Sequence, residues 1–342
     1  MLASFYLYGH KISKEEIVVQ VIAPTLLSFL SILIMSVSMT WDSEYLGHYI
    51  TSCEHHEAWN EYIHRTCTRT VGTGKDAREE SYDCSYVQYH PEYFEAFMNT
   101  GISTYINENR YNELVKLFNN QEKIGHNSGH SISGDIFETK FDGDFEHLQP
   151  HTTIHHYKNK VQASHSVFKF QDIPDEEAEE LGLYKYSKSS SYGVNIPRLE
   201  KLNGYYGSQY QIRTLVLAYN APMSIFEKQR SYWSGGNKNE LVIGIGLDKG
   251  KVSWVNVFTW SEADDFVVKL RKELEKQIGV SPDYDRIVEY LKKEIPLGWK
   301  RKEFGDFEYL EVENAPYFYA IAMVVSFVSS VIITFLAIRY EY

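Results

Sequence analysis

Two long apolar segments, one near each end of the chain, constrain this sequence most. Residues 17–37 (IVVQVIAPTLLSFLSILIMSV) and 317–338 (YFYAIAMVVSFVSSVIITFLAI) contain no charged residue. At ~1.5 Å of rise per residue, a helix of either length covers the roughly 30 Å hydrocarbon core of a bilayer. The sequence therefore predicts two transmembrane helices, with the lipid bilayer as a partner and a large soluble loop between them.

The distribution of Lys and Arg predicts the orientation of these helices. Basic residues lie on the terminal side of both segments, at Lys11, Lys14 and Arg339, whereas residues 39–64 and 303–316 contain neither Lys nor Arg. Basic residues near the ends of a span stay on the cytoplasmic side. We therefore predict a protein of the cell inner membrane, with an uncleaved signal anchor, cytoplasmic termini and an extracytoplasmic loop. That loop covers residues 40–315.

The loop divides into two parts with different hydrophobic patterns. Its first part is rich in Tyr, His and Thr and alternates with period two, which is typical of short half-buried strands. Its second part alternates continuous apolar strands with amphipathic helices, which indicates a sheet covered by helices on both faces. We predict an α+β membrane protein. Its regions are a cytoplasmic N-terminus (1–16), a first transmembrane helix (17–37), a β-rich extracytoplasmic region (41–172), a linker (173–204), an α/β domain (205–300), a connector (301–316) and a second transmembrane helix (317–338).

The net charge of the chain argues against one class of partner. The formal charge is −12 at pH 7, and no basic stripe stands out in the sequence. An acidic surface repels phosphate backbones, so we expect no nucleic-acid partner.

Three cysteines lie in the predicted extracytoplasmic region, where a disulfide is the usual outcome. Cys67 and Cys84 fall on two alternating segments separated by a polar, glycine-containing turn. A turn centred between Lys75 and Asp76 would place these cysteines opposite each other. The sequence therefore predicts a Cys67–Cys84 bridge, worth about 3 kcal/mol in the chain-entropy model. Cys53 is left over, either free or as an alternative partner.

Two groups of histidines leave metal binding open as an alternative. Thiolates and imidazoles are zinc ligands, although the spacing here matches no zinc finger or ribbon. The first group consists of Cys53, His55, His56, His64, Cys67, Cys84 and His90. The second group consists of His147, His151, His155 and His156. If residues 151–155 form a strand, His151 and His155 share a face, and the second group is expected to form a surface patch that takes up protons below about pH 6.5.

Residues 212–280 follow a recognisable order of elements. A strand (RTLVLAY) is followed by a helix ending at Trp233, a glycine-rich link (SGGNKN), two further strands (ELVIGIGLD and KVSWVNVFTW) and a helix. This order resembles the TPM domain, an α/β/α module of membrane-anchored proteins. The two-span layout also resembles uncharacterised membrane proteins of Bacteroidetes-like bacteria, and that resemblance implies no activity.

The resemblance to the TPM domain implies a set of candidate ligands. Some members of that family bind divalent cations or show weak phosphatase activity, and carboxylates at strand ends would carry such a role here. The nearest candidates are Asp248, Glu262, Asp264 and Asp265, with Ca²⁺ or Mg²⁺ as the candidate cofactor. The third strand departs from the family pattern, because it ends FTWSE instead of in a glycine-rich turn. The alternative is that Asp248 is a turn residue and that Asp264 and Asp265 interact with a helix N-terminus.

Two functions follow as hypotheses, and neither comes with an identified catalytic residue. The first is a non-enzymatic, membrane-anchored binding or scaffold module that acts through a protein partner or a homo-oligomer. The second is a divalent-metal-dependent phosphoric-ester hydrolase built on the TPM-like region. A channel or transporter is not expected, because two uncharged spans offer no ion path.

Overall fold

A computed structural model describes residues 14–128, 133–141, 143–163, 194–262 and 264–340. The described chain is a mixed α+β protein, as predicted. Most of the predicted cytoplasmic N-terminus, residues 164–172 of the β-rich region and residues 173–193 of the predicted linker lie outside the described residues. The helices are α1 (Lys14–Ser38), α2 (Glu108–Phe118), α3 (Pro197–Tyr210), α4 (Ser224–Tyr232), α5 (Asp264–Glu275), α6 (Tyr284–Gly298) and α7 (Pro316–Tyr340).

Helices α1 and α7 contain the two apolar segments. The windows Val21–Ser38 and Pro316–Leu336 have mean hydropathies of 2.1 and 2.3, and only 6% of each is buried. A core helix of a soluble protein would be mostly buried, so these two helices have the length, composition and exposure to cross a membrane.

The two apolar helices pack against each other in opposite directions. The hydroxyl of Ser28 donates a hydrogen bond to the carbonyl of Ala322 at 3.2 Å, and Ser36 donates to Asn314 Oδ1 at 2.6 Å. Small and polar side chains allow this close approach, which is typical of helix contacts in lipid. Both helices therefore meet the rest of the protein side by side.

The β-rich part is organised around one long strand. The main sheet has the order β7-β6-β1-β9-β8, and β10 pairs with the first half of β1. Strand β1 is 16 residues long, which corresponds to about 50 Å. The strands of this sheet are β1 (Trp41–His56), β6 (Tyr93–Met98), β7 (Ser103–Ile106), β8 (Glu122–Asn127), β9 (Gly134–Lys140) and β10 (Pro150–Lys158).

Helix α3 corrects the predicted boundary of the linker. The sequence predicts a linker at residues 173–204, yet α3 begins at Pro197, where the missing N–H of proline is tolerated. Glycines let the helix approach β1 closely: a Cβ on Gly207 would lie 2.6 Å from backbone atoms of Gly47. The polar composition of this segment does not indicate a helix, although the buried face of α3 includes Gly, Leu and Tyr residues.

The α/β part contains a three-stranded sheet. Its strands are β11 (Arg213–Tyr219), β12 (Glu240–Asp248) and β13 (Lys251–Thr259), with β12 in the centre. β11 and β12 are parallel, because helix α4 carries the chain back between them, whereas the tight turn after β12 makes β13 antiparallel.

Helices cover both faces of this sheet, as predicted. On one face, Val216, Ile243 and Val257 pack with Leu270 of α5 and Leu291 of α6. On the opposite face the sheet packs against Phe226 of α4. Helix α6 runs through Pro296 to Gly298, since proline in a last turn removes little backbone hydrogen bonding.

Candidate functional site

A long two-stranded arm extends from the β-rich part between β1 and β6. It comprises residues 59–90 and contains β2 (Trp59–Ile63), β3 (Thr66–Val71), β4 (Arg78–Asp83) and β5 (Tyr86–His90). β2 pairs with β5, and β3 pairs with β4, in one continuous antiparallel register. At ~3.3 Å per residue, the strand from 59 to 71 spans roughly 40 Å.

Most of this arm is exposed to solvent, although every residue of β2 at its base is half-buried. Every residue of β4 is exposed, and so are most residues of β3 and β5. The exposed side chains include large ones: Tyr89 is 64% exposed, Val87 53% and Tyr86 47%. Within the part of the chain that the structure describes, neither two-stranded ladder has a third strand. An uncovered two-stranded ribbon is marginally stable by itself, so the arm needs reinforcement.

The Cys67–Cys84 disulfide supplies that reinforcement, and the predicted pairing is confirmed. The predicted register is wrong by two residues: Cys67 lies opposite Tyr82, and the bridge joins diagonal neighbours with Cα atoms 5.8 Å apart. The turn is centred one position earlier than predicted, because Gly72 and Gly74 adopt positive φ and a 3₁₀ turn follows at Gly74–Asp76. The third cysteine, Cys53, is free and fully buried, and burial raises the pKa of its thiol to about 12.

The distal halves of the two strands of the arm, residues 64–71 and 78–83, carry opposite charges. The strand formed by residues 64–71 contains Arg65 and Arg69 and no acid. In the returning strand, β4, three acids outweigh one base; they are Glu79, Glu80 and Asp83, against Arg78. Arg69 Nη2 and Glu80 Oε2 are cross-strand partners 3.3 Å apart, and both side chains are largely exposed. Solvent weakens such an ion pair, so it contributes little stability to the isolated arm.

The predicted cation ligands do not form one group of four. Asp248 ends β12, whereas Glu262, Asp264 and Asp265 follow the end of β13. Because these strands are antiparallel, the two ends lie on opposite sides of the sheet, more than ~20 Å apart. The four-residue ligand set therefore does not fit this fold.

The other three carboxylates border a cavity of about 520 Å³, together with Glu294 and Lys269. Glu262 forms a salt bridge with Lys300 Nζ at 2.7 Å. Asp264 and Asp265 lie in the first turn of α5, where their negative charge interacts favourably with the helix dipole. Among the residues described, no three His, Cys, Asp or Glu side chains converge as a metal site. Cation binding at this cavity stays a prediction.

The first group of predicted zinc ligands is dispersed. The disulfide removes two thiolates, and Cys53 lies in the core of the main sheet. Three of the histidines bind carboxylates instead, in the pairs His55–Glu92, His56–Glu54 and His90–Glu61.

Sequence reasoning missed a buried ion pair at the junction of the two parts of the body. Glu44 of β1 is fully buried and accepts a hydrogen bond from Arg301 Nη2 in the connector, 257 positions away. The Arg301 guanidinium also lies 4.2 Å from the centroid of the Tyr157 ring. Burial raises the pKa of Glu44 to about 7, against the opposing charges of Arg301 and Lys238. The pair links the strand after α1 to the segment before α7, and no local sequence pattern predicts it.

The second histidine group lies partly on one face of β10, as predicted for His151 and His155, but it is not a simple surface patch. His155 Nε2 hydrogen-bonds to Thr153 Oγ1 at 2.7 Å, and Thr153 Oγ1 hydrogen-bonds to His48 Nε2 at 2.7 Å. His48, which the sequence did not single out, is buried, and burial lowers its pKa to about 4. Burial also lowers the pKa of His151, so both rings resist protonation.

Comparison with protein-family models, with curated proteins and with solved structures gives no match for this chain. The resemblance of residues 212–280 to the TPM domain therefore stays a prediction. The site that stands out on structural grounds alone is the exposed, disulfide-tied arm.

Proposed function

We propose that this protein is a membrane-anchored, non-enzymatic binding or scaffold module whose arm contacts a protein. The exposed arm carries this proposal: about 40 Å of ribbon, tied by Cys67–Cys84, with large apolar side chains in solvent. Ordering so much exposed backbone costs conformational entropy that the described body does not repay through packing. A binding partner is the physical reason for such an element.

The anchoring is part of the same proposal. Helices α1 and α7 would hold the body at the inner membrane, with residues 40–315 on the extracytoplasmic side. The disulfide supports this orientation, because such bonds persist in oxidising compartments and are rare in the bacterial cytosol. The absence of Lys and Arg from residues 39–64 and 303–316 supports it independently.

Shortening the arm tests the proposal. Residues 64–85 would be replaced by Asn-Gly, which joins the cross-strand partners Ile63 and Tyr86 through a two-residue hairpin turn and leaves the β2–β5 ladder intact. Chemical cross-linking in native membranes should give protein adducts with the full chain and few with the shortened one. Lys75→Glu at the tip, which keeps the arm, serves as the control.

Identical adducts from the full and shortened chains would contradict the proposal. The shortened chain must first show the thermal unfolding midpoint of the parent, since the arm contributes no residue to the core clusters of the body.

A further inference from the structure

We infer that the partner of the arm is the arm of a second copy of this chain, paired edge to edge in a shared antiparallel sheet. The inference rests on the proposed function and names its partner. The arm has two outer edges. The first, called the basic edge, runs along β2–β3 and carries Arg65 and Arg69, with Glu61 as its one acid. The second, called the acidic edge, runs along β4–β5 and carries Glu79, Glu80 and Asp83, against Arg78. In the described structure no strand pairs with either edge. Unpaired strand edges are templates for further pairing, and soluble proteins usually block them.

The direction of the strands favours copies that share one membrane. Copies in the same bilayer that are related by translation point their arms the same way. Placing such arms side by side brings the acidic edge of one copy against the basic edge of the next. These edges belong to antiparallel strands of one hairpin, so the new pairing is antiparallel as well. No copy has to turn over to join the sheet.

The register of the arm itself repeats across this interface. At every second residue of an edge strand, the backbone N–H and C=O groups point away from the hairpin. If two copies pair in the same register as the two strands of one arm, these outward-pointing residues on one edge lie opposite outward-pointing residues on the other. Glu80 of one copy then faces Arg69 of the next, just as the two face each other within a chain. Each Glu80 would lie between two arginines, and each Arg69 between two glutamates.

The apolar contacts repeat in the same register. Within one arm, Ile63 faces Tyr86 and Tyr62 faces Val87. Between copies, Ile63 would face Tyr86 of the neighbour, which covers a ring that is 47% exposed in the single chain. Aromatic and β-branched cross-strand pairs of this kind stabilise sheets.

This interface is heterologous, because each copy contributes two different edges. Heterologous contacts continue into rings or open arrays instead of stopping at a dimer. The strand twist of about −20° to −25° per neighbour sets whether a row of arms closes. The predicted assembly is therefore larger than a dimer at high surface density.

Charge exchange between copies tests the inference. Full-length chains carrying donor or acceptor fluorescent proteins at the N-terminus are reconstituted in phosphatidylcholine vesicles, and energy transfer between copies is measured. The shortened-arm chain gives the baseline for random proximity and helix contacts. We expect Arg69→Glu alone and Glu80→Arg alone to associate about tenfold more weakly than the parent, because like charges then face each other. Lys75→Glu and Asp76→Arg, the matched charge changes in the turn, should associate normally.

The mixture of the two charge variants gives the decisive result. When Arg69→Glu copies alternate with Glu80→Arg copies, two kinds of contact form. In one, the unchanged Glu80 faces the unchanged Arg69; in the other, the introduced arginine faces the introduced glutamate. Association should return to within about threefold of the parent, although every single chain still contains a like-charge pair. An effect confined within each arm cannot produce this rescue.

Failure of the mixture to associate, or parent-level energy transfer equal to the shortened-arm baseline, would overturn the inference. Either result leaves the proposed function standing if cross-linking still gives arm-dependent adducts with a different protein. Loss of those adducts as well would remove both.

Discussion

Replacing Glu44 by Gln should change how stability depends on pH, because burial raises the pKa of this carboxyl from 4.5 to about 7. Between pH 4.5 and about 7, the Glu44 carboxyl therefore keeps its proton in the folded state and loses it in the unfolded state. Stability contributed by the protonated group is complete below pH 4.5 and is lost as pH rises towards 7. At ~1.36 kcal/mol per pH unit, the loss across this window is about 3 kcal/mol.

His48, four residues along the same strand, works in the opposite direction. Burial lowers its pKa from 6.5 to about 4, so the folded state prefers the neutral ring. That contribution is complete above pH 6.5 and is lost as pH falls towards 4, again about 3 kcal/mol. In the parent protein the two effects oppose each other. The Glu44→Gln variant should therefore gain stability as pH rises from 4 to 6.5, whereas His48→Gln should lose stability between pH 4.5 and 7.

The assay is denaturant unfolding of the full chain in a non-ionic detergent, followed by Trp fluorescence between pH 4 and 7.5. Other groups titrate in the same range, but they are common to parent and variants and cancel in the difference. The charged neighbours that face the pair are Arg301, Lys238, Glu240, His151 and His155. A difference between parent and Glu44→Gln that stays constant within about 0.5 kcal/mol across the range would refute the reasoning.

Three further predictions concern the arm, the helix contact and the carboxylates. Cys67→Ser should destabilise the arm by about 3 kcal/mol, because it opens a loop of 17 residues, and limited proteolysis should then cut the arm while the unfolding midpoint of the body stays the same. Gly207→Ala should lower the thermal midpoint, at a cost of about 1–3 kcal/mol, because its Cβ would lie 2.6 Å from the backbone of Gly47. If the carboxylates after β13 hold Ca²⁺ or Mg²⁺, Asp264→Asn should weaken binding at least tenfold by calorimetry, on the order of 1.4 kcal/mol, whereas Asp248→Asn should not.

Controls separate these effects from general damage. Gly143→Ala adds a methyl group where nothing lies within 4 Å, so its midpoint should match that of the parent. An arm that resists proteolysis in Cys67→Ser would show that the ladder holds without the bridge. Equal loss of cation binding in Asp248→Asn and Asp264→Asn would contradict the separation of the two ends of the sheet.

The periodic parts of the fold were accessible from the sequence. Continuous apolar runs predict the strands RTLVLAY and ELVIGIGLD, which the structure contains as β11 and β12. Alternation around Cys67 and Cys84 gave a hairpin with the correct bridge. The register of that hairpin was out of reach, because it depends on the backbone angles of Gly72 and Gly74 in the turn.

Long-range pairing was not accessible in the same way. The pairing of Glu44 with Arg301 joins residues 257 positions apart, and neither lies in a motif. Asp248 was grouped with Glu262 because both follow strands, but the antiparallel pairing of β12 and β13 separates them. Hydrophobic periodicity predicts the secondary structure of one segment, whereas contacts between distant segments depend on which strands become neighbours.

Strand β1 also determines how the protein would bear a mechanical load. It begins at Trp41, just after α1 ends at Ser38, and it ends at His56, just before the arm begins at Trp59. Tension applied to the first strand of the arm would therefore run along β1 into helix α1. The hydrogen bonds of β1 to its antiparallel neighbours lie across that line, so they would be sheared together instead of opening one after another. A pull on the arm would therefore reach helix α1 without unzipping the sheet one hydrogen bond at a time.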